Sequence, residues 1–318
     1  MMKIVSSAKL SEKHQKSLKG LFPDVSFYFF DQIDDALTVL NDTNVLITYG
    51  EDLNEEYLSR MGHLRWIHVV SAGLDKMPFS YLQQRGIMVT NSKGIHQVPM
   101  SEYTLAVILQ IARKTDQFYQ NQIGKTWNRE IRVSEIHGST LGIIGLGAIG
   151  SAIAEKAKIF GMRVIGINSD GRDMKEIDRV YPPSLLKTVL TESDYIVVIV
   201  PLTEQTHHMI GREELLAMKP TAYLINIARG NVVDEQALIE VLKERRIGGV
   251  VLDVFSEEPL PEDHPFWNLP NVIITPHVSG RSPKYMERAL VIFQYNLEKY
   301  RHQEYDTMKN LVNVSKGY

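Results

Sequence analysis

A few short segments of this chain carry residue types at spacings that suit chemistry. Gly145, Gly147 and Gly150 lie in LGIIGLGAIG (141–150), where an apolar run ends in GxGxxG and a helical pattern, AIAEKAKIF, follows at once. Strand, glycine turn and helix in that order suit a dinucleotide pyrophosphate. The first glycine permits the tight turn, the second lets the backbone approach the phosphates, and the third lets helix and strand pack closely. The helix N-terminus adds N–H groups and the positive end of its dipole. Arg229, in NIARG (226–230), follows an apolar strand pattern. Its planar fork suits a carboxylate, although a surface loop arginine reads the same way. Glu257 and Glu258 precede a proline in DVFSEEPL (253–260), which alone reads as a solvated acidic turn. His277, in TPHVSG (275–280), again follows a strand pattern. Histidine exchanges protons near neutral pH, but a lone one is commonly structural. Earlier in the chain, Ser71-Ala72-Gly73-Leu74-Asp75 offers small residues whose N–H groups suit an anion, or simply a turn that needs glycine.

The elements that must position these residues alternate. Short apolar runs read as strands at 3–7, 26–30, 45–48, 66–70 and 87–90, with amphipathic stretches between them. A second series, at 141–145, 163–167, 195–200, 222–227, 249–254 and 272–275, follows one long helical pattern over 98–118. Uninterrupted runs such as YIVVIV suit central strands buried on both faces. This alternation predicts an α/β protein with two doubly wound parallel-sheet domains. The last helical pattern, 284–301, comes after the second series is complete, so it is expected to return to the first domain.

Composition narrows the function classes. At 318 residues the chain exceeds what one core supports, and 44% apolar with 23% charged residues is ordinary for a soluble protein. A net charge of −3 without a long basic run argues against nucleic acid as a partner. No apolar stretch is long enough for a membrane span, and the N-terminal segment has no apolar core of a secretory signal. With no cysteine there is neither a disulfide framework nor a thiolate metal site, which is compatible with the cytoplasm. No metal site is expected.

The order GLGAIG, VPLT (200–203), NIARG, DVFSEEPL and TPHVSG resembles the D-isomer-specific 2-hydroxyacid dehydrogenases, the family of glycerate dehydrogenase and glyoxylate/hydroxypyruvate reductase. The resemblance also takes in SAGLD, VTNSKGIH (89–96) and SEYTLAVIL (101–109), and so nearly the whole chain. It implies a flavodoxin-like substrate-binding domain, 1–97 plus 283–318, and a Rossmann NAD(P)-binding domain, 98–282. The implied activity is hydride transfer between a nicotinamide and C2 of a small 2-oxo or 2-hydroxy acid. Arg229 would bind substrate, Glu258 rather than Glu257 would pair with the histidine, and His277 would be the general acid/base. That division suits the chemistry: a 2-oxo acid needs a cation for its carboxylate, a hydride donor at C2 and an acid for its oxygen. Ala72 and Gly73 match the loop that holds the substrate carboxylate. Ala148 and Ile149 fall in the pyrophosphate turn. Val200, Pro201 and Thr206 match the adenosine side, while Ile227, Ala228 and Asp253 match positions lining the nicotinamide.

Two departures from the family pattern stand out. NAD users usually end the second strand of this domain with an acidic residue for the adenosine ribose. Here Asn168 stands there, with Ser169 next and Arg172 four residues on, a set that tolerates a 2′-phosphate and favours NADP over NAD. Asp170 in the same turn could still serve a ribose hydroxyl. Tyr103 replaces a histidine common among relatives, and no role is assigned to it. Lys93 reads as an exposed loop lysine, and Tyr285 is among the residues expected to set pocket size. The resemblance also implies a homodimer formed through the 98–118 helix and its neighbours. Among alternatives, formate oxidation is disfavoured because that branch has glutamine where Glu258 stands. A phosphite-type dehydrogenase finds no support in the small SAGLD loop. A non-catalytic, cofactor-sensing scaffold would call for extra tails, and the sequence ends tersely at LVNVSKGY.

Overall fold

The uninterrupted apolar runs become strands of two parallel sheets, where burial on both faces removes any need for polar alternation. The structure is a computed structural model describing residues 2–74 and 76–315. The chain divides into two units, Met1–Ile95 with Ser282–Tyr318, and His96–Arg281.

The first unit runs β1 (Lys3–Ser6), α1 (Glu12–Leu21), β2 (Ser26–Phe29), β3 (Val45–Thr48), α2 (Glu55–Arg60), β4 (Trp66–Val69), α3 (Phe79–Gln84) and β5 (Met88–Asn91). Its five strands pair in parallel in the order β2-β1-β3-β4-β5. Alternate strand residues serve opposite cores. Ile4, Val45, Ile47 and Trp66 face one helical layer, and Val5, Leu46, Ile67 and Val89 face the other, with Leu58, Met61 and Leu82.

The second unit runs α4 (Gln97–Arg113), α5 (Thr115–Ile123), β6 (Thr140–Ile144), α6 (Ala148–Ile159), β7 (Arg163–Ile167), β8 (Arg179–Tyr181), α7 (Leu186–Glu192), β9 (Tyr195–Val198), α8 (Arg212–Ala217), β10 (Tyr223–Asn226), α9 (Glu235–Lys243), β11 (Gly249–Leu252) and β12 (Val272–Ile274). The seven strands are parallel, in the order β12-β11-β10-β9-β6-β7-β8. Strand order reverses at β6, so the glycine turn that follows it lies where such sheets bind ligands. Leu105, Ile108 and Ala112 of α4 and Ile153, Ala154 and Ala157 of α6 cover one face, while Leu215, Leu238, Val241 and Leu242 cover the other.

The final helix, α10 (Tyr285–Arg301), belongs to the first unit, where Phe293 stacks on Trp66 at 5.4 Å.

Two expectations need correction. The single helix over 98–118 is two helices, because Lys114 takes φ 52° and its N–H closes α4 on the Gln110 carbonyl. Buried apolar residues hold α4 down to Ala112, whereas α5 has none. The sixth-to-seventh strand count also differs: β8 was not expected, being three residues at the sheet edge with only Tyr181 buried. No helix among the described residues is long and apolar enough to cross a membrane.

Candidate active site

The glycine turn is shaped by close backbone approaches. Gly145 takes φ +113°, and a Cβ there would come within 2.8 Å of the Ile199 carbonyl oxygen. A Cβ on Gly150 would come within 2.3 Å of the Gly145 carbonyl oxygen. Gly147 differs, because a Cβ there would meet nothing within 4 Å. Gly147 is the N-cap of α6, which has neither a capping side chain nor an acidic residue in its first turn, where Ala148 and Ile149 begin the helix. The turn therefore leaves space and a helix dipole for an anion, and it fits the pyrophosphate of a nicotinamide dinucleotide.

Beyond β7, the Asn168 amide folds into its own turn. Its Oδ1 accepts from Gly171 N at 2.5 Å, and its Nδ2 donates to the Arg172 carbonyl at 2.9 Å. Ser169 is exposed. Arg172 Nε lies 3.5 Å from Asp170 Oδ2, with both side chains largely in solvent. After β9, Thr206 closes the turn that starts at Val200 and Pro201, donating to the Pro201 carbonyl at 2.6 Å.

Arg229 follows β10. Buried Asn226 shapes its turn, accepting from Ala228 N at 3.1 Å and donating to the Arg229 carbonyl at 3.1 Å. Ile227 and Ala228 are buried, whereas Arg229 is exposed and donates from Nη1 to the Ala228 carbonyl at 2.8 Å. Gly230 is required by its neighbour, since a Cβ there would overlap the Phe255 carbonyl carbon at 1.9 Å. The Arg229 turn thus packs against the backbone of the loop that carries Glu258.

Glu258 binds that loop and the histidine together. Its Oε1 accepts from Phe255 N at 3.0 Å, and its Oε2 lies 2.8 Å from His277 Nδ1. An ionised carboxylate only accepts, so in this pairing His277 Nδ1 is the donor. The loop is braced at Ser256, whose N and Oγ donate to Glu235 Oε2 at 3.3 and 2.6 Å.

His277 takes φ 51°, a left-handed backbone that costs a non-glycine residue about 1–2 kcal/mol. Asp253, fully buried, holds it there. The Asp253 carbonyl accepts from His277 N at 2.9 Å, and its carboxylate accepts from Val278 N, Ser279 N and Thr275 Oγ1 at 2.9, 2.9 and 2.6 Å. A carboxylate offers about four acceptor positions. Three of them serve this turn.

In the first unit, Ser71 Oγ donates to the Gly73 carbonyl at 2.8 Å, and Asn91 Nδ2 donates to the Ala72 carbonyl at 2.9 Å. Asn310 pairs with Asn91 from behind, donating to the Asn91 and Lys93 carbonyls at 3.0 and 2.9 Å. Lys93 is exposed, and Asp75 lies outside the described residues.

Glu258 and His277 are therefore in direct contact, and Arg229 joins them through the Gly230–Phe255 packing. Ala72 and Gly73 lie in the other unit. Asn226 and Thr275 escaped the sequence reading. The only hint was their position, each the polar residue at or just after the end of an apolar strand.

Residues 105–279 match the family model described as D-isomer specific 2-hydroxyacid dehydrogenase, NAD binding domain. A glyoxylate reductase from Korarchaeum cryptofilum is 36% identical over 282 residues, 86% of this chain and 84% of that protein. A solved D-isomer specific 2-hydroxyacid dehydrogenase family protein from Aeromonas salmonicida is similar with TM-score 0.88 and 29% identity, covering 98% of this chain and 99% of that one. An NADPH-dependent glyoxylate/hydroxypyruvate reductase from Sinorhizobium meliloti, solved with citrate, has TM-score 0.81 and 26% identity, covering 99% of each chain.

Proposed function

The chain belongs to the D-isomer specific 2-hydroxyacid dehydrogenase family, and on that premise we propose that it reduces small 2-oxo acids such as glyoxylate or hydroxypyruvate. The observation that carries this reading is the Glu258–His277 pair, with Nδ1 engaged at 2.8 Å and Nε2 left as the proton-exchanging nitrogen. Bound in the glycine turn, a nicotinamide cofactor would supply the hydride. Arg229 is assigned to the substrate carboxylate; in the first unit, the Ala72 and Gly73 amides are assigned to substrate binding. His277 gives its Nε2 proton to the carbonyl oxygen as that oxygen gains charge, and Glu258 stabilises the imidazolium before donation. In the oxidative direction His277 takes the proton back.

NADP is the favoured cofactor, with NAD as the alternative. Asn168 follows β7 without a charge that would repel a 2′-phosphate. The Arg172–Asp170 pair is a solvent-exposed contact of the kind that contributes little, so a phosphate can displace the aspartate. Ile227 and Ala228 are assigned to the nicotinamide side, as is the remaining acceptor position of Asp253. Val200, Pro201 and Thr206 are assigned to the adenosine side.

We further assign the protein to the cytoplasm as a homodimer. Support for the homodimer comes from exposed apolar residues on and beyond α5, with Phe118, Tyr119 and Ile123 joined by Trp127 at 93% exposure.

Purified protein mixed with NADPH or NADH and a panel of glyoxylate, hydroxypyruvate, pyruvate and phenylpyruvate tests the reading. Loss of reduced-nicotinamide absorbance is expected with at least one acid, and faster with NADPH. An inert protein across the panel overturns the activity, and faster turnover with NADH overturns the cofactor preference. Light scattering of the eluting protein at twice 36.2 kDa is expected, and a monomer mass would overturn the dimer.

A further inference from the structure

We propose that Tyr103 is a positioning residue that holds the His277 turn in its working conformation through Thr275 and Asp253. This inference rests on the reading of His277 as the proton donor. The relay is short and its direction follows from proton counting. Tyr103 Oη lies 2.7 Å from Thr275 Oγ1, and Thr275 Oγ1 donates to Asp253 Oδ1 at 2.6 Å. Threonine has one hydroxyl proton, and the aspartate takes it. The phenol must therefore be the donor in the first bond. Tyr O–H to Thr O–H to carboxylate is a chain in which each bond polarises the next.

The receiving carboxylate is the group that sets the turn. Its two oxygens accept from Val278 N and Ser279 N, the residues just after His277, while its carbonyl takes His277 N. His277 itself stands at φ 51°, so its side-chain direction depends on these bonds holding a conformation the residue would not choose alone. Thr275 lies two residues before the histidine, so the relay grips the turn on the side that the Asp253 backbone contacts leave to a rotatable hydroxyl. Without the phenol, Thr275 Oγ1 loses the donor that orients it.

The phenol is suited to the task. It sits on α4, whose Leu105, Ile108 and Ile111 are anchored in the core, so the donor comes from a rigid support. Burial also pushes its ionisation up to about 12, so it remains a donor throughout the neutral range.

The test uses Tyr103→Phe, which removes only the hydroxyl, with Thr275→Val as a second variant one bond further along. Tyr103→Phe is expected to lower kcat about three- to tenfold, the value of one hydrogen bond, with the 2-oxo acid KM within about twofold. The double variant is expected to be no worse than Thr275→Val alone, as for residues acting in series. The His277 imidazole nitrogen shifts, read by NMR on the full chain without substrate, are expected to move in both single variants. Unchanged shifts with unchanged kcat in Tyr103→Phe overturn the proposal. So does an additive double variant whose losses track lowered thermal stability, which would mark a packing role only. If the wild type reduces no 2-oxo acid, the activity reading falls separately, and the His277 shifts alone decide on Tyr103.

Discussion

His68 and His277 are the same side chain in opposite settings, one in each unit. His68 is inside β4 with no exposed surface. Its Nδ1 lies 2.9 Å from Thr90 Oγ1, its Nε2 lies 3.4 Å from Ser92 Oγ, and its ring lies 5.4 Å from Phe293. Burial pushes its imidazole down to about 3, so it stays neutral at any ordinary pH. His277 stands just beyond β12 with 52% of its side chain exposed and a carboxylate 2.8 Å from Nδ1. The difference teaches that a histidine becomes a candidate acid through a carboxylate partner and access to a ligand. Hydroxyls and aromatic rings around a buried ring make it a structural part instead.

That contrast is open to direct attack. The largest effect is expected from His277→Asn, which should lower 2-oxo acid turnover at least about 100-fold while the thermal unfolding curve stays in place. Glu258→Gln comes next. It leaves His277 present but without the negatively charged, acceptor-only partner that fixes its tautomer, and turnover should fall roughly ten- to hundredfold, as for a hydrogen bond to a charged group. A Gln variant with wild-type turnover would mean the carboxylate is not what separates the two histidines.

His68 should reveal itself in stability rather than rate. Its pKa is depressed in the folded state, so its contribution is complete above the unfolded value near 6.5 and is lost as pH falls toward about 3. Between pH 7 and 5, urea unfolding of the wild type should lose about 2 kcal/mol more than that of His68→Leu, whose side chain cannot titrate. Equal losses would show that His68 does not resist protonation. The smallest effect is on catalysis, where His68→Phe should keep turnover at neutral pH within about a factor of two, as for a group that exchanges no proton.

What was legible in the chain follows the range of the interactions involved. YIVV of β9 and VLIT of β3 announce buried parallel strands because burial on both faces is written in consecutive residues. The glycine turn is legible for the same reason, since Gly145 and Gly150 meet across five residues. β8 was not legible, because an edge strand with one buried side chain leaves no apolar run. The break at Lys114 was hidden by helical patterns on both sides of it. Within the site, Glu258 and His277 could be named from ordered motifs. The bond from Tyr103 to Thr275 spans 172 residues and leaves no local mark, so a role for Tyr103 came only from the fold. The motif marks Asn168 only as a neutral ribose-side residue, whereas its amide is engaged by Gly171 and Arg172, a fold-back that no spacing rule conveys.

The central claim is hydride transfer to C2 of a 2-oxo acid at the Glu258–His277 pair. Glyoxylate turned over with NADPH dideuterated at C4 of its nicotinamide, followed by mass analysis of the product, tests it most directly. Glycolate carrying a single deuterium on C2 is the expected result, formed by the wild type and at least about 100-fold more slowly by His277→Asn. No glycolate, glycolate without deuterium, or equal rates in the two proteins would contradict it.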